Sequence, residues 1–385
     1  MNSNPIQSSS RLLSLDVMRG ITIAGMILVN NPGSWEAVYA PLRHAAWNGL
    51  TPTDLVFPFF LFILGISSYA SLRKFDFRPT PPTIHKILKR TFLIFLIGIL
   101  LNWFGLFFSN LGALEQENLP FATYLWRAAT QIGHLRIMGV LPRLALCYGA
   151  ASLIGVMVKH KHIPYVIVAG LIGYFVVLLG VNGFAYDASN TLCDVDRWLF
   201  STDHIYIDRC VDPEGLLSTI PSICQALIGF CCGKMIFDTR DNKERMLKLL
   251  LTGAILTFMG LLLHYGCPMN KKIWSPTFVL ATCGLGASLL AVLIWIIDVR
   301  GYKSGFRFFE AFGVNPLAIY VFSGILATLI GFVQVGGQSV KGALYALLNG
   351  WFGPYPASLL SALLLIAVCW AVAYPLYKRK IYIKL

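Results

Sequence analysis

Residues 53–72 read TDLVFPFFLFILGISSYASL, twenty residues with one charged side chain, that of Asp54. A helix of about 20 mostly apolar residues crosses the hydrocarbon core of a bilayer, because each residue adds about 1.5 Å. The backbone finds no water there to bond, and a helix satisfies its amides and carbonyls internally. This stretch therefore predicts a transmembrane helix.

Further apolar runs of similar length lie on both sides of this stretch. Asn315 and Pro316 interrupt one of them, and the short amphipathic segment 119–135 predicts a helix at the membrane interface. We predict an all-α integral membrane fold with about ten transmembrane helices in one bundle. The predicted spans lie at roughly 13–31, 53–72, 84–108, 136–158, 163–181, 215–237, 246–264, 274–298, 309–332 and 357–377.

The composition of the whole chain agrees with a membrane protein. Hydrophobic residues make up 56% of the 385 residues and charged residues 13%, and the mean hydropathy is +0.67. Soluble domains carry about a quarter charged residues. The chain contains no polar linker, so we predict a single transmembrane domain over 1–385. Residues 1–10 lack an apolar core, and we expect no cleavable signal peptide before the first span.

The charges of the loops predict the orientation. Twenty Lys and Arg residues fall in one set of alternate loops and eight in the other. Positively charged loops stay in the cytoplasm, so both termini are predicted to be cytoplasmic. The same bias accounts for the net charge of +13, and no nucleic acid partner is predicted. The loops 32–52, 109–135, 182–214, 265–273 and 333–356 are predicted to face outward.

The nine cysteines show no spacing typical of a metal site, and most lie in apolar runs. We predict no bound metal. Cys193 and Cys210 both lie in the outer loop 182–214, which is predicted to form a small excursion from the membrane, where an oxidising compartment would allow a disulfide. The sequence leaves open whether they are joined.

Polar side chains collect just before the second span, in RHAAWNGLTPTD at residues 43–54. Thr51, Pro52 and Asp54 are typical of a helix start, with Thr at the N-cap, Pro at the first helical position and an acid at the third. His44 lies upstream and can reach back over this helix end. Each residue also has a purely structural interpretation, since Asp54 could serve only as a cap and Trp47 only as an interfacial aromatic residue.

Other polar residues lie within spans or at their ends. Arg143, inside the fourth predicted span, needs a partner or a water-filled cavity. Asn30 closes the first span on the predicted outer side. Glu214 opens the sixth span and could be a cap, and Lys234 could extend its ammonium to the interface.

The order of these motifs resembles that of the heparan-α-glucosaminide N-acetyltransferase family of transmembrane acetyltransferases. The longest match is HAAWNGLT followed by DLVFPF over residues 44–59, and the resemblance covers nearly the whole chain. The other matches are SLDVMRG at 14–20 with Asn30, GVLPRL at 139–144, DPEGLL at 212–217 and IWSP at 273–276.

The resemblance implies an enzyme that takes acetyl from cytosolic acetyl-CoA and delivers it to the amine of glucosamine, or of a glucosamine-containing glycan, on the outer side. The catalytic histidine of the family corresponds to His44 and its motif asparagine to Asn30. We expect this chain to lack the amino-terminal lumenal region and span of the lysosomal member, and its spacing from Asn30 to His44 to be longer. The resemblance further implies a multi-pass protein of a bacterial inner membrane with a periplasmic amino-sugar acceptor. Family members suggest a homodimer, whose interface the sequence does not show.

The residues suit this chemistry independently of the resemblance. Acyl transfer to an amine needs a base, because an ammonium has no lone pair, and hydrogen-bond donors for the oxyanion. His44 is predicted as the base, with Asp54 holding its tautomer and Arg43 favouring its neutral form. Oxyanion donors are predicted from Asn30, Asn48 or backbone amides, and acceptor contacts from Trp47, Asn48 and Glu214. The candidate cations for the CoA phosphates are Arg143, Lys234, Arg90 and Arg73.

The sequence leaves several alternatives open. His44 could carry the acetyl group covalently, or act only as a base in direct transfer. An amino-sugar transporter would also fit ten spans, helix-breaking Pro and Gly, and an intramembrane Arg143, although the two halves show no inverted repeat. An O-acyltransferase that acts on an envelope glycan is a third possibility.

Overall fold

The structure is a computed structural model that describes residues 12–117, 119–208 and 210–383. It is built almost wholly of helices, which confirms the predicted all-α fold. The predicted absence of a signal peptide concerns residues outside the described ranges. The helices are α1 Leu13–Asn30, α2 Val56–Leu72, α3 Pro81–Leu114, α4 Phe121–Thr130, α5 Val140–Met157, α6 Ile163–Gly180, α7 Asp194–Phe200, α8 Thr219–Asp238, α9 Asn242–Leu263, α10 Pro276–Leu293, α11 Arg307–Val314, α12 Pro316–Phe332, α13 Val340–Phe352 and α14 Pro354–Lys378.

The described residues contain nine helices that are long and apolar enough to cross a membrane, each close to a predicted run. The remaining run, 309–332, consists of α11 and α12, which meet at an angle of 77°. Pro316 explains the break, since it lacks an amide hydrogen and its ring clashes with the preceding turn. The count is therefore ten if the bent pair forms one span. The segment 119–135 contains the short helix α4, and the two-residue strands Gln334–Val335 and Gln338–Ser339 form a hairpin after α12.

Side-chain contacts gather at two opposite ends of the helix bundle. At one end the Tyr69 hydroxyl donates to Asp238 at 3.0 Å and Arg73 donates to the Phe237 carbonyl at 2.7 Å. Most Lys and Arg residues of the predicted cytoplasmic loops lie at this end, which we call the basic end. At the other, which we call the histidine end, the loops 32–52, 182–214 and 265–275 meet.

The helices α2 and α8 form the centre of the bundle. Gly65 of α2 lies against the backbone of Ala226, and Gly229 of α8 against that of Phe62, so an added Cβ at either glycine would overlap a carbonyl oxygen. Small residues allow such close helix packing in membranes, where apolar side chains are not driven from lipid. In contrast, only 11% of an 18-residue apolar stretch of α3 and 17% of one in α9 is buried, which leaves those stretches facing lipid.

The cysteines of the loop 182–214 are free thiols. Cys210 packs in a small hydrophobic cluster with Leu192 and Val211, whereas Cys193 immediately precedes α7. Burial raises the pKa of the Cys193 thiol to about 11. The disulfide that the sequence allowed is therefore not formed in this structure.

Candidate active site

The predicted helix start at residues 51–54 forms a closed hydrogen-bonded box. Asp54 Oδ2 accepts the backbone N–H groups of Thr51 and Ala45, both at 3.1 Å. The Asp54 amide donates in return to the Thr51 carbonyl at 3.0 Å. Pro52–Leu55 makes a short 3-10 turn that leads into α2. The box fixes a carboxylate with no exposed surface at the end of a transmembrane helix.

His44 lies over this helix end, as the spacing predicted. Its Nδ1 is 2.7 Å from Asp54 Oδ1, and 43% of the imidazole side chain is exposed. An ionised carboxylate can only accept, so Nδ1 carries the proton, and in the neutral imidazole Nε2 then holds the lone pair. A buried carboxylate that fixes the tautomer of an accessible imidazole is the arrangement of a general base and the group that orients it.

The cation beside His44 is Lys271, not Arg43. The Arg43 guanidinium turns away, and its Nε donates to the Val38 carbonyl at 2.8 Å. Lys271 Nζ lies 3.0 Å from His44 Nδ1, 3.3 Å from His44 Nε2 and 3.7 Å from Asp54 Oδ1. In the sequence, Lys271 is one of the eight Lys and Arg residues in the loops predicted to face outward. Its position two residues before the IWSP motif was the one signal that could have singled it out.

Asn270 holds the turn that carries Lys271. Its side chain is fully buried, and its Oδ1 accepts the amides of Lys272 at 2.8 Å and Ile273 at 3.2 Å. Its Nδ2 donates to Asn48 Oδ1 at 3.3 Å. Asn48, predicted as an acceptor or oxyanion contact, thus also joins this turn to the His44 loop.

Trp47 and Asn30 were predicted to contact the acceptor and the oxyanion. The Trp47 indole donates to the Phe184 carbonyl at 2.9 Å and stacks on Tyr186 with ring centroids 4.6 Å apart. Only 9% of Trp47 is exposed, so it mainly anchors the loop 182–214 to the His44 loop. Asn30 is exposed at the end of α1, and in the described ranges no hydrogen bond joins it to His44 or Asp54.

Glu214 belongs to a largely buried ion cluster. Arg136 Nη2 lies 2.7 Å from Glu214 Oε2 and 2.9 Å from Asp212 Oδ1. Burial would raise the pKa of Glu214, but the guanidinium groups of Arg136 and Arg143 outweigh it and hold that pKa below its usual value. Burial raises the pKa of Asp212, which Arg136 only partly offsets. Glu214 is therefore the more persistent negative charge of the pair.

Arg143 is fully buried near the histidine end, away from the other predicted cofactor cations. Its Nη2 donates to the Gly215 carbonyl at 2.9 Å and to the Ser218 hydroxyl, and its guanidinium lies 5.1 Å from the Trp274 ring centre. Among the described residues, Nε and Nη1 find no hydrogen-bond partner. The expectation that Arg143 has partners is therefore met at Nη2 but not at Nε or Nη1.

Two of the predicted cofactor cations, Arg73 and Lys234, lie at the basic end on the neighbouring helices α2 and α8. Arg73 donates to the Phe237 carbonyl, one helical turn from the exposed Lys234. Arg90, in the third turn of α3, has its guanidinium 4.7 Å from the Tyr148 ring centre. No group of three metal-binding side chains occurs within the described ranges.

Comparison with known proteins adds to this geometry. The family profile described as heparan-alpha-glucosaminide N-acetyltransferase, catalytic, matches residues 11–266. The curated heparan-alpha-glucosaminide N-acetyltransferase of Homo sapiens is 27% identical over 370 residues, which cover 81% of this chain and 52% of the relative. That of Mus musculus is 25% identical over 440 residues, which cover 98% and 61%. The chain thus spans about half to three-fifths of the length of these relatives, and the profile match includes His44 and Asp54 but ends before Lys271.

Proposed function

Because the chain belongs to the heparan-α-glucosaminide N-acetyltransferase family, we propose that it is a transmembrane N-acetyltransferase that uses acetyl-CoA. The acceptor in this proposal is the amine of glucosamine or of a glucosamine-containing glycan. The observation that carries the proposal is His44, whose Nδ1 lies 2.7 Å from the buried Asp54 while Nε2 keeps its lone pair.

In the proposed reaction an acetyl group moves from sulfur to nitrogen. The acceptor amine attacks the thioester carbonyl, a C–N bond forms, and the C–S bond breaks. His44 Nε2 takes the proton that the amine loses and returns it to the departing sulfur, so that the products are an amide and a thiol. Asp54 stabilises the imidazolium between these two transfers.

The donor in this proposal enters from the basic end, where Arg73, Lys234 and Arg90 supply cations for its phosphates. From Asp54 to Arg73 the helix rises about 28 Å, so the acyl-bearing arm must extend between helices toward His44. By the positive-inside rule the basic end is cytoplasmic and the acceptor meets His44 on the opposite face. In a bacterial cell these faces would be the cytoplasmic and periplasmic sides of the inner membrane.

Proteoliposomes loaded with acetyl-CoA test the proposal. We expect acetylation of external glucosamine by the wild type, loss in His44→Ala, and retention in His134→Ala, whose imidazole is 77% exposed in another outer loop. If the vesicles took up labelled glucosamine without acetyl-CoA and did not acetylate it, the proposed enzymatic function would be wrong and a transporter would be favoured. Acetylation of a glycan hydroxyl but not of an amine would favour an O-acyltransferase.

The route of the acetyl group is tested separately. We favour direct transfer with His44 as base, because the acyl-bearing arm must thread between helices to reach it. Purified protein is incubated with acetyl-CoA without acceptor, quenched and analysed by mass spectrometry. An acetyl group on the wild type that His44→Ala lacks would rule out direct transfer and establish a covalent acetyl-histidine.

A further inference from the structure

We propose that Lys271 is a further catalytic residue of this site, whose ammonium binds the oxyanion formed when the acetyl carbonyl is attacked beside His44. This inference rests on the proposed function and names a group that neither the sequence motifs nor the matched profile includes. It applies to direct transfer and to transfer through His44 alike, because both routes convert a carbonyl into a tetrahedral oxyanion.

The position of Lys271 suits an oxygen bound to the reacting carbon. Its Nζ lies 3.3 Å from His44 Nε2, the nitrogen that faces the reaction in the tautomer fixed by Asp54. A reacting group within hydrogen-bond reach of Nε2 places its carbonyl oxygen within reach of Nζ as well. The ammonium offsets the negative charge of the oxyanion. When the C–S bond breaks, the C=O bond re-forms and the negative charge passes to the departing sulfur, which receives the proton from His44.

Lys271 also has donors to spare. An ammonium carries three N–H groups. His44 Nδ1 gives its own proton to Asp54 and cannot accept another, and Asp54 Oδ1 lies 3.7 Å from Nζ, beyond a hydrogen bond. The other oxygen of Asp54 is occupied by the amides of Ala45 and Thr51. At most one N–H is used by the Nε2 lone pair, 3.3 Å away. The largely buried ammonium, with only 16% of its side chain exposed, therefore keeps further donors without an acceptor at hydrogen-bond distance among the described residues.

The neighbouring Lys272 shows that this placement is specific. Lys272 is similarly buried, with 13% of its side chain exposed, but it points away and lies 2.7 Å from Asp208. Trp274, which donates its amide to the Lys271 carbonyl at 3.1 Å, adopts a φ of 53° that bulky residues rarely take. The turn thus contains a backbone conformation that is rare for a bulky residue, and its two adjacent lysines reach different partners.

The charges around Lys271 predict a basic limit to activity. His44, Asp54 and Glu214 face it together with Lys272. Burial lowers the pKa of Lys271, and the carboxylates of Asp54 and Glu214 oppose this change without cancelling it. An ammonium is needed for oxyanion binding, so activity is present below this lowered pKa and is lost as the pH rises through it.

Steady-state kinetics of three variants in proteoliposomes test the inference. We expect Lys271→Met to lower kcat by about 10²–10³-fold with little change in the KM for glucosamine, as for loss of an oxyanion donor. Lys272→Met, the matched control, should keep wild-type kcat. Lys271→Arg should retain part of kcat and lose the basic limb of the pH profile, because a guanidinium stays charged.

The outcomes separate this inference from the proposed function. If the wild type acetylates glucosamine and Lys271→Met has an unchanged kcat, the proposed role of Lys271 is wrong and the proposed acetyltransferase function is retained. A wild type without acetylation would overturn both. If Lys271→Met does not fold, as judged by size-exclusion chromatography, the pH profile of Lys271→Arg decides, and an unaltered basic limb contradicts the inference.

Discussion

The chemistry of His44 depends on which imidazole nitrogen carries the proton. Asp54 accepts at 2.7 Å and has no exposed surface, so in the folded protein the Nδ1–H tautomer is fixed by a carboxylate that cannot turn to solvent. The same carboxylate caps the second transmembrane helix. One side chain therefore serves both the fold and the reactivity of His44.

Replacing Asp54 by Asn should separate these two roles. The amide oxygen can still accept from the backbone of Thr51, but the amide nitrogen can donate to Nδ1 and select the wrong tautomer. We expect kcat to fall by about 10⁴-fold, the loss known for this exchange in a catalytic triad. Thr51→Ala, which weakens the cap and leaves the His44–Asp54 pair, should cost far less activity. Equal losses in the two variants would show that Asp54 acts only through the fold.

Whether a contact of the candidate site could be predicted depends on how far apart its two residues lie in the sequence. The His44–Asp54 contact spans ten positions and arises from a local helix-start motif, so it could be predicted. Lys271 reaches His44 across 227 positions and Trp47 reaches Phe184 across 137, and no local pattern encodes either contact. The free state of Cys193 and Cys210 depends in the same way on how the loop 182–214 folds back.

At the scale of elements, hydrophobic length predicted the spans because the bilayer sets it directly. The run 309–332 was the exception, since composition averages over the break that Pro316 imposes between α11 and α12. The interruption itself was visible in the sequence, but the 77° angle was not, because it depends on the helices that α11 meets. Gly20 of α1 and Gly313 of α11 pack backbone against backbone at that crossing.

The contact of α2 with α8 yields a stability prediction. Gly229→Ala should lower the free energy of unfolding by about 1–3 kcal/mol, because the new methyl group overlaps the Phe62 carbonyl and forces the helices apart. Gly105→Ala in α3, where a Cβ has open space, should be neutral or stabilising by up to about 1 kcal/mol. Thermal unfolding in detergent measures both. A Gly229→Ala variant as stable as Gly105→Ala would contradict the close packing.

At the scale of the whole molecule, the proposed transfer requires that the basic end and the histidine end lie on opposite faces of the membrane. The alternation of loop charges supports this arrangement. The bent pair α11 and α12 determines whether the loops keep alternating between the two faces as far as the carboxyl terminus. The end of α14 lies at the basic end only if α12 crosses the membrane. Asn315 donates to the Ile381 carbonyl at 2.8 Å, whereas Phe332, at the other end of α12, packs on Phe108 with ring centroids 4.8 Å apart. These contacts connect α12 to both ends of the bundle.

Cysteine labelling in intact cells tests the arrangement. Exposed positions are available at both ends, with Lys243 and Arg379 at the basic end and Thr202 at the histidine end. A membrane-impermeant maleimide should label Thr202→Cys from outside, and should label Lys243→Cys and Arg379→Cys only after permeabilisation. The unsubstituted protein, whose cysteines are mostly buried, sets the background.

Labelling of Arg379→Cys from outside, with Lys243→Cys protected, would mean that α12 does not cross and that the chain has nine spans. Labelling of Lys243→Cys from outside would reverse the orientation and place the proposed donor site on the wrong face.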